Sequence, residues 1–83
     1  MNVDAQLRAV ATNIKSRRTQ LRISQTQMAN LLNITQNAYS KIEMSKTKMS
    51  VERLYQIAEI LSISPAELIT VTVVTMHPAK KAS

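Results

Sequence analysis

The sequence predicts an all-α domain of five helices over residues 1–69, then a β-strand extension at 70–76 and a flexible tail at 77–83. Three observations lead there. Apolar residues recur at three- and four-residue steps through most of the chain, the spacing of one helix face. Polar residues that cap helix starts, Ser24, Thr35, Ser50 and Ser64, stand before the later periodic segments. The chain has no Gly and two Pro, poor material for the many turns of an all-β fold or for a phosphate-cradling loop.

The first helix is expected over 4–21. Val3, Leu7, Val10, Ile14 and Leu21 form its apolar stripe. Asp4 suits the positive end of the helix dipole, and Arg17, Arg18 and Arg22 suit the other. Arg18 stands apart because it falls near the core stripe. After the connector 21–23, Ser24 caps a second helix, Gln25 to Leu32, holding Met28, Ala29 and Leu32. Asn33 takes the turn, where a left-handed backbone is needed and Asn is the second choice after Gly. Thr35 caps a third helix, Gln36 to about Met44, with Ala38, Tyr39 and Ile42 apolar. Residues 45–49 form a basic loop. Ser50 caps a fourth helix with the stripe Val51, Leu54, Ile57, Ala58 and Leu61. Ser64-Pro65-Ala66-Glu67 starts a short fifth helix with a capping box and Pro in the first helical position; it ends near Ile69.

Residues 70–76, TVTVVTM, are β-branched nearly throughout, which disfavours helix and favours strand. A lone strand has no partner in a helical chain, so Val71, Val73 and Val74 are expected to pair with the same segment of a second copy.

Composition narrows the function. There is no Cys, hence no disulfide framework and no zinc-thiolate site. The two aromatic residues, Tyr39 and Tyr55, are too few for a stacking platform on single-stranded nucleic acid. No membrane span and no signal peptide are evident, so a cytoplasmic location is expected. Neither a nucleophile with a base, a carboxylate pair nor a ligand cluster can be assembled, and His77 is a single imidazole near the tail. No enzyme, metal or cofactor is implied. The Met residues at 28, 44 and 49 are expected to fill the core.

The formal net charge is +6, and all of the excess is clustered. Lys15, Arg17, Arg18, Arg22, Lys41, Lys46 and Lys48 face one acid, Glu43, between residues 15 and 48, while the charges outside that segment balance. Such clustering suits a polyanion. The pieces at 25–44 therefore predict a helix-turn-helix for double-stranded DNA. A helix fits the major groove, and its first exposed residues reach base edges. Gln36 and Asn37 carry carboxamides that match adenine N6 and N7, Lys41 can donate to guanine, and Ser40 completes the base-contacting set. Phosphate contacts are expected from Gln25, at a helix N-terminus, and from Thr35, Lys46, Lys48 and Arg17.

Residues 25–43 closely resemble the helix-turn-helix of the phage-repressor and Cro family, also called the Xre family, and the resemblance covers roughly residues 8–69. Ser24-Gln25 opens helix two as in that family. Ala29 sits where a small residue lets the helices approach, and Ser40-Lys41-Ile42-Glu43 matches the Ser-Arg/Lys-Ile/Trp-Glu stretch. Asn33 replaces the turn Gly, Ser45 a common Gly after the Glu, and Met49 a common Pro before helix four. The resemblance implies a five-helix repressor-like domain and a structural ion pair between Arg18 and Glu43. It also implies a phosphate contact by Gln25 with a hydrogen bond to Gln36. A homodimeric, sequence-specific transcriptional repressor is the leading expectation. The alternative is a protein-interaction module: an antitoxin that also holds a toxin, or a coactivator-type adaptor.

Overall fold

The computed structural model describes residues 3–69. Over that range it is all-helical: α1 Val3–Gln20, α2 Gln25–Leu32, α3 Gln36–Glu43 and α4 Val51–Ile60, with one further helical turn at 65–69. The expected strand at 70–76, with Val71, Val73 and Val74, and the tail at 77–83 lie outside the described residues.

Each later helix starts on the polar residue the sequence marks. Ser24, Thr35 and Ser50 hold extended backbone and accept from the N–H groups of Gln27, Ala38 and Arg53. Ser24 and Gln27 complete a reciprocal capping box. Ser64 and Glu67 do the same: the Ser64 N–H donates to Glu67 Oε1 at 3.1 Å, and the Glu67 N–H donates to Ser64 Oγ at 3.1 Å. Side chains thus occupy donors that the helix cannot use itself.

All four helices end in one way. Arg22, Asn33, Ser45 and Ser62 have φ of 61°, 60°, 56° and 54°. At each, two backbone bonds close the end in the Schellman pattern, for example Ile34 N–H to Ala29 O at 2.9 Å and Asn33 N–H to Asn30 O at 3.1 Å. Without Gly, the described residues hold this left-handed turn four times, each time with a residue that carries a Cβ. The residues after three of these turns, Ile23, Ile34 and Ile63, pack against the core and help hold them. Ser45, at φ 56°, holds the left-handed backbone that Gly takes most easily, and the loop after α3 leaves from that turn.

The core gathers Ile14 from α1, Met28, Ala29 and Leu32 from α2, Tyr39 and Ile42 from α3, Ile57, Ala58 and Leu61 from α4 and its end, and Leu68. Helix α2 packs on α3 and α4, and α1 packs on α3. Two polar side chains one turn apart on α1 tie down the C-terminal part. Asn13 Nδ2 donates to Leu68 O at 2.7 Å. Arg17 Nε donates to Leu61 O at 3.0 Å, and Arg17 Nη2 to Ser62 O at 3.3 Å. Carbonyls left over at the end of α4 thereby gain a cationic partner.

Several apolar expectations fail at the ends of helices. Val3, Leu7 and Leu21 are exposed, and so are Val51 and Met44. The reason is length. Helix α1 spans about 27 Å at 1.5 Å per residue, while α2 and α3 span about 12 Å each, so the first turns of α1 overhang the core. Its buried face is instead Ala11, Ile14 and Arg18. Val51 is the first residue of α4 and Met44 the last cap of α3, both beyond the layer where helices meet. Of the three methionines, Met28 is in the core and Met49 packs against it.

Candidate nucleic-acid interface

The turn between α2 and α3 decides what α3 presents. Asn33 at φ 60° and ψ 44° reverses the chain within three residues, and Ile34 anchors the turn to the core. Tyr39 and Ile42 are then buried, which leaves Gln36, Asn37 and Lys41 exposed and Ser40 half-buried. Asn37 and Lys41 share an open groove of about 540 Å³ with Thr35, Lys48 and Arg53. Lys46 and Lys48 also border a second groove, of about 340 Å³, with Asp4 and Arg8. The structure thus brings the exposed side of α3 and the basic loop together.

Arg53 adds to this cluster, although its charge is balanced within its own segment of the sequence. It lies in the first turn of α4, directly after the basic loop, and that adjacency is the signal by which the sequence could have marked it. Arg17 is not joined to the cluster. Its guanidinium donates to Leu61 O, Ser62 O and Gln20 Oε1.

Beneath α3 lies a buried polar cluster. The side chains of Arg18 and Glu43 are 9% and 2% exposed. Arg18 Nε donates to Glu43 Oε2 at 2.5 Å and Nη2 to Oε1 at 3.1 Å, a bidentate pair between α1 and α3. Arg18 Nη1 donates to Ile23 O at 2.7 Å in the connector before α2. The Tyr39 hydroxyl donates to Glu43 Oε2, and Gln25 Nε2 donates to Glu43 Oε1 at 3.0 Å. Three helices therefore converge on one carboxylate, and among the described residues no buried side-chain polar atom lacks a partner.

Electrostatics follow from this packing. Burial pushes the Glu43 carboxyl up, but hydrogen bonds from Arg18, Tyr39 and Gln25, with the charge of Arg18, outweigh it and hold Glu43 below the ordinary carboxylate range. The hydrogen bond to Glu43 raises Arg18 further. Burial, then the bond to Glu43, pushes the Tyr39 hydroxyl far up. Arg18 and Glu43 are charged at neutral pH, Tyr39 keeps its proton and donates it to Glu43, and the cluster is a fully paired structural tie.

One expected contact is replaced. Gln25, half-buried, turns its amide to Glu43 and not to Gln36. Gln36 Oε1 instead accepts from the Thr26 hydroxyl at 3.1 Å. Thr26 carried no expectation from the sequence. The carboxylate draws the Gln25 amide inward because a charged acceptor makes the stronger hydrogen bond. That leaves Thr26, one residue on, to meet Gln36 across the turn.

Among the described residues no group of His, Cys, Asp and Glu could hold a metal ion, and no helix is long and apolar enough to cross a membrane. A helix whose first residues, Gln36 and Asn37, are exposed, set beside a basic loop and packed on α1 and α2, defines a helix-turn-helix DNA-binding domain. The family model described as helix-turn-helix matches residues 14–68, and the chain belongs to that family, the Xre or Cro/C1 type. The family is one of DNA-binding transcriptional regulators, not of enzymes. No curated protein and no solved structure matches the chain.

Proposed function

We propose that the protein is a sequence-specific repressor that binds double-stranded DNA as a homodimer and places α3 in the major groove. Gln36, Asn37, Ser40 and Lys41 contact base edges. Gln25, Thr35, Lys46 and Lys48 contact phosphates, and Arg53 joins them. Gln25 can do so while held by Glu43, because its amide nitrogen carries two hydrogens and gives one to the carboxylate. Arg17 is left out, since its guanidinium serves the end of α4. The observation that carries this reading is the exposure of Gln36, Asn37 and Lys41 on α3, two of them in one groove with Lys48 and Arg53. In a homodimer the two α3 helices read half-sites roughly 34–36 Å apart. The β-branched run at 70–76, with Val71, Val73 and Val74, is the proposed pairing segment, and a cytoplasmic setting fits this role.

The test is selection of bound duplexes from a random pool, followed by affinity measured against salt. Lys46, Lys48 and Arg53 of two protomers neutralising about six phosphates give a slope of log K on log salt of about −5.4. A flat response removes the phosphate contacts. Gln36→Ala lowers preference at one base position by about 1–3 kcal/mol. Lys46→Ala weakens all sequences alike and shallows the slope by about 1 per contact. Identical effects from the two substitutions refute this division of roles.

A further inference from the structure

Gln36 and Thr26 lie ten residues apart and meet across the turn. Thr26 is exposed, and its hydroxyl is not the cap of α2, because Ser24 fills that place. Its one hydrogen bond goes to Gln36 Oε1. Among the described residues Gln36 Nε2 has no partner. We propose that Thr26 is a positioning residue for base recognition: its hydroxyl holds the Gln36 side chain beside the turn, so that the carboxamide meets the base edge already placed. The inference rests on the DNA-reading role of α3 proposed above.

The physical need is clear from the side chain. A glutamine has three rotors, and its last torsion is broad and roughly two-fold. A free, exposed carboxamide therefore presents its donor and acceptor in either order and loses rotamer freedom when it docks. The Thr26 hydroxyl, 3.1 Å from Oε1, restrains the carboxamide beside the turn before DNA arrives. Both Nε2 hydrogens stay available for a major-groove acceptor such as purine N7, and Oε1 keeps one lone pair for a donor such as adenine N6. The edge that satisfies both is adenine. Gln25, the other neighbour across the turn, directs its amide to Glu43 at 3.0 Å.

The test compares sites selected from random duplexes by the wild-type chain, Thr26→Val, Thr26→Ser, Gln36→Ala and the double variant Thr26→Val/Gln36→Ala. Valine keeps the shape and removes the hydroxyl; serine keeps the hydroxyl. A hydrogen bond of ordinary net worth corresponds to a loss of preference of about three- to tenfold. Thr26→Val is expected to lose that much at the Gln36 base position, with the other positions unchanged. Thr26→Ser retains the preference, and Thr26→Val costs nothing further once Gln36 is alanine. A Thr26→Val variant that keeps the preference, weakens every position alike or remains costly in the Gln36→Ala background overturns the Thr26 role alone. A wild-type chain that enriches no sequence overturns the DNA-reading role and this inference with it.

Discussion

Removing the Glu43 carboxylate strands a charge. Four hydrogen bonds from three side chains end on it, two of them from Arg18, which is itself 8% exposed. In Glu43→Ala the guanidinium keeps only the Ile23 carbonyl among the partners described above, and the buried Tyr39 hydroxyl loses its acceptor. Breaking one side of a buried pair costs about 3–5 kcal/mol, and a chain of this size has on the order of 4–12 kcal/mol in total. The variant should therefore be barely folded. In urea, with a slope near 1–1.5 kcal/mol per M, the midpoint falls by on the order of 2–5 M. Glu43→Gln, which keeps one acceptor oxygen, is expected to lose less. So is Arg18→Met/Glu43→Gln, which leaves no unpaired charge inside. Urea unfolding followed by circular dichroism measures all three. A Glu43→Ala loss below about 1 kcal/mol, or a double variant as damaged as the single one, would refute the reasoning.

Two further outcomes follow from the same structure. Glu43 is held low in the folded chain, so its contribution is complete above its ordinary value of 4.5. Below that value the unfolded chain takes up the proton first, and stability drains away as pH falls through the lowered folded value. Unfolding midpoints from pH 7 down to pH 3 should show this fall, and Glu43→Gln should flatten it; an equally steep profile in the variant excludes Glu43 as its source. Ser62→Gly relieves a left-handed residue that carries a Cβ, a cost of about 1–2 kcal/mol, partly offset by the greater freedom of Gly when unfolded. A net gain of about 0.5–1 kcal/mol in thermal or urea unfolding is expected, with a smaller gain for Asn33→Gly, and a loss at Ser62 contradicts the strain assigned there.

Much of the fold is legible because start signals are local. Ser24, Thr35, Ser50 and Ser64 each act within three residues, so the sequence alone places four helix starts. Asn33 is legible for the same reason. The ends of the apolar stripes are not, because whether Val3, Leu7 or Val51 is covered depends on how far the neighbouring helix extends. The left-handed turns at Arg22 and Ser62 carry no residue signal, since neither side chain favours that backbone. At the interface, the exposure of Gln36, Asn37 and Lys41 follows from the apolar spacing of Tyr39 and Ile42. The partners of Gln25 and Arg17 do not, because each is settled by an acceptor distant in sequence: Glu43 for one, the carbonyls of Leu61 and Ser62 for the other. Arg53 joins the basic groove from the first turn of α4, directly after the loop, a placement that a balance of charges by segment hides.

The central claim is that the exposed side of α3 faces the groove of the DNA. Backbone amide shifts recorded while the chain is titrated with its selected duplex test it most directly. The largest changes are expected over 36–41, with others at 25–26 and 46–48. Changes confined to α4, with 36–41 silent, would contradict it.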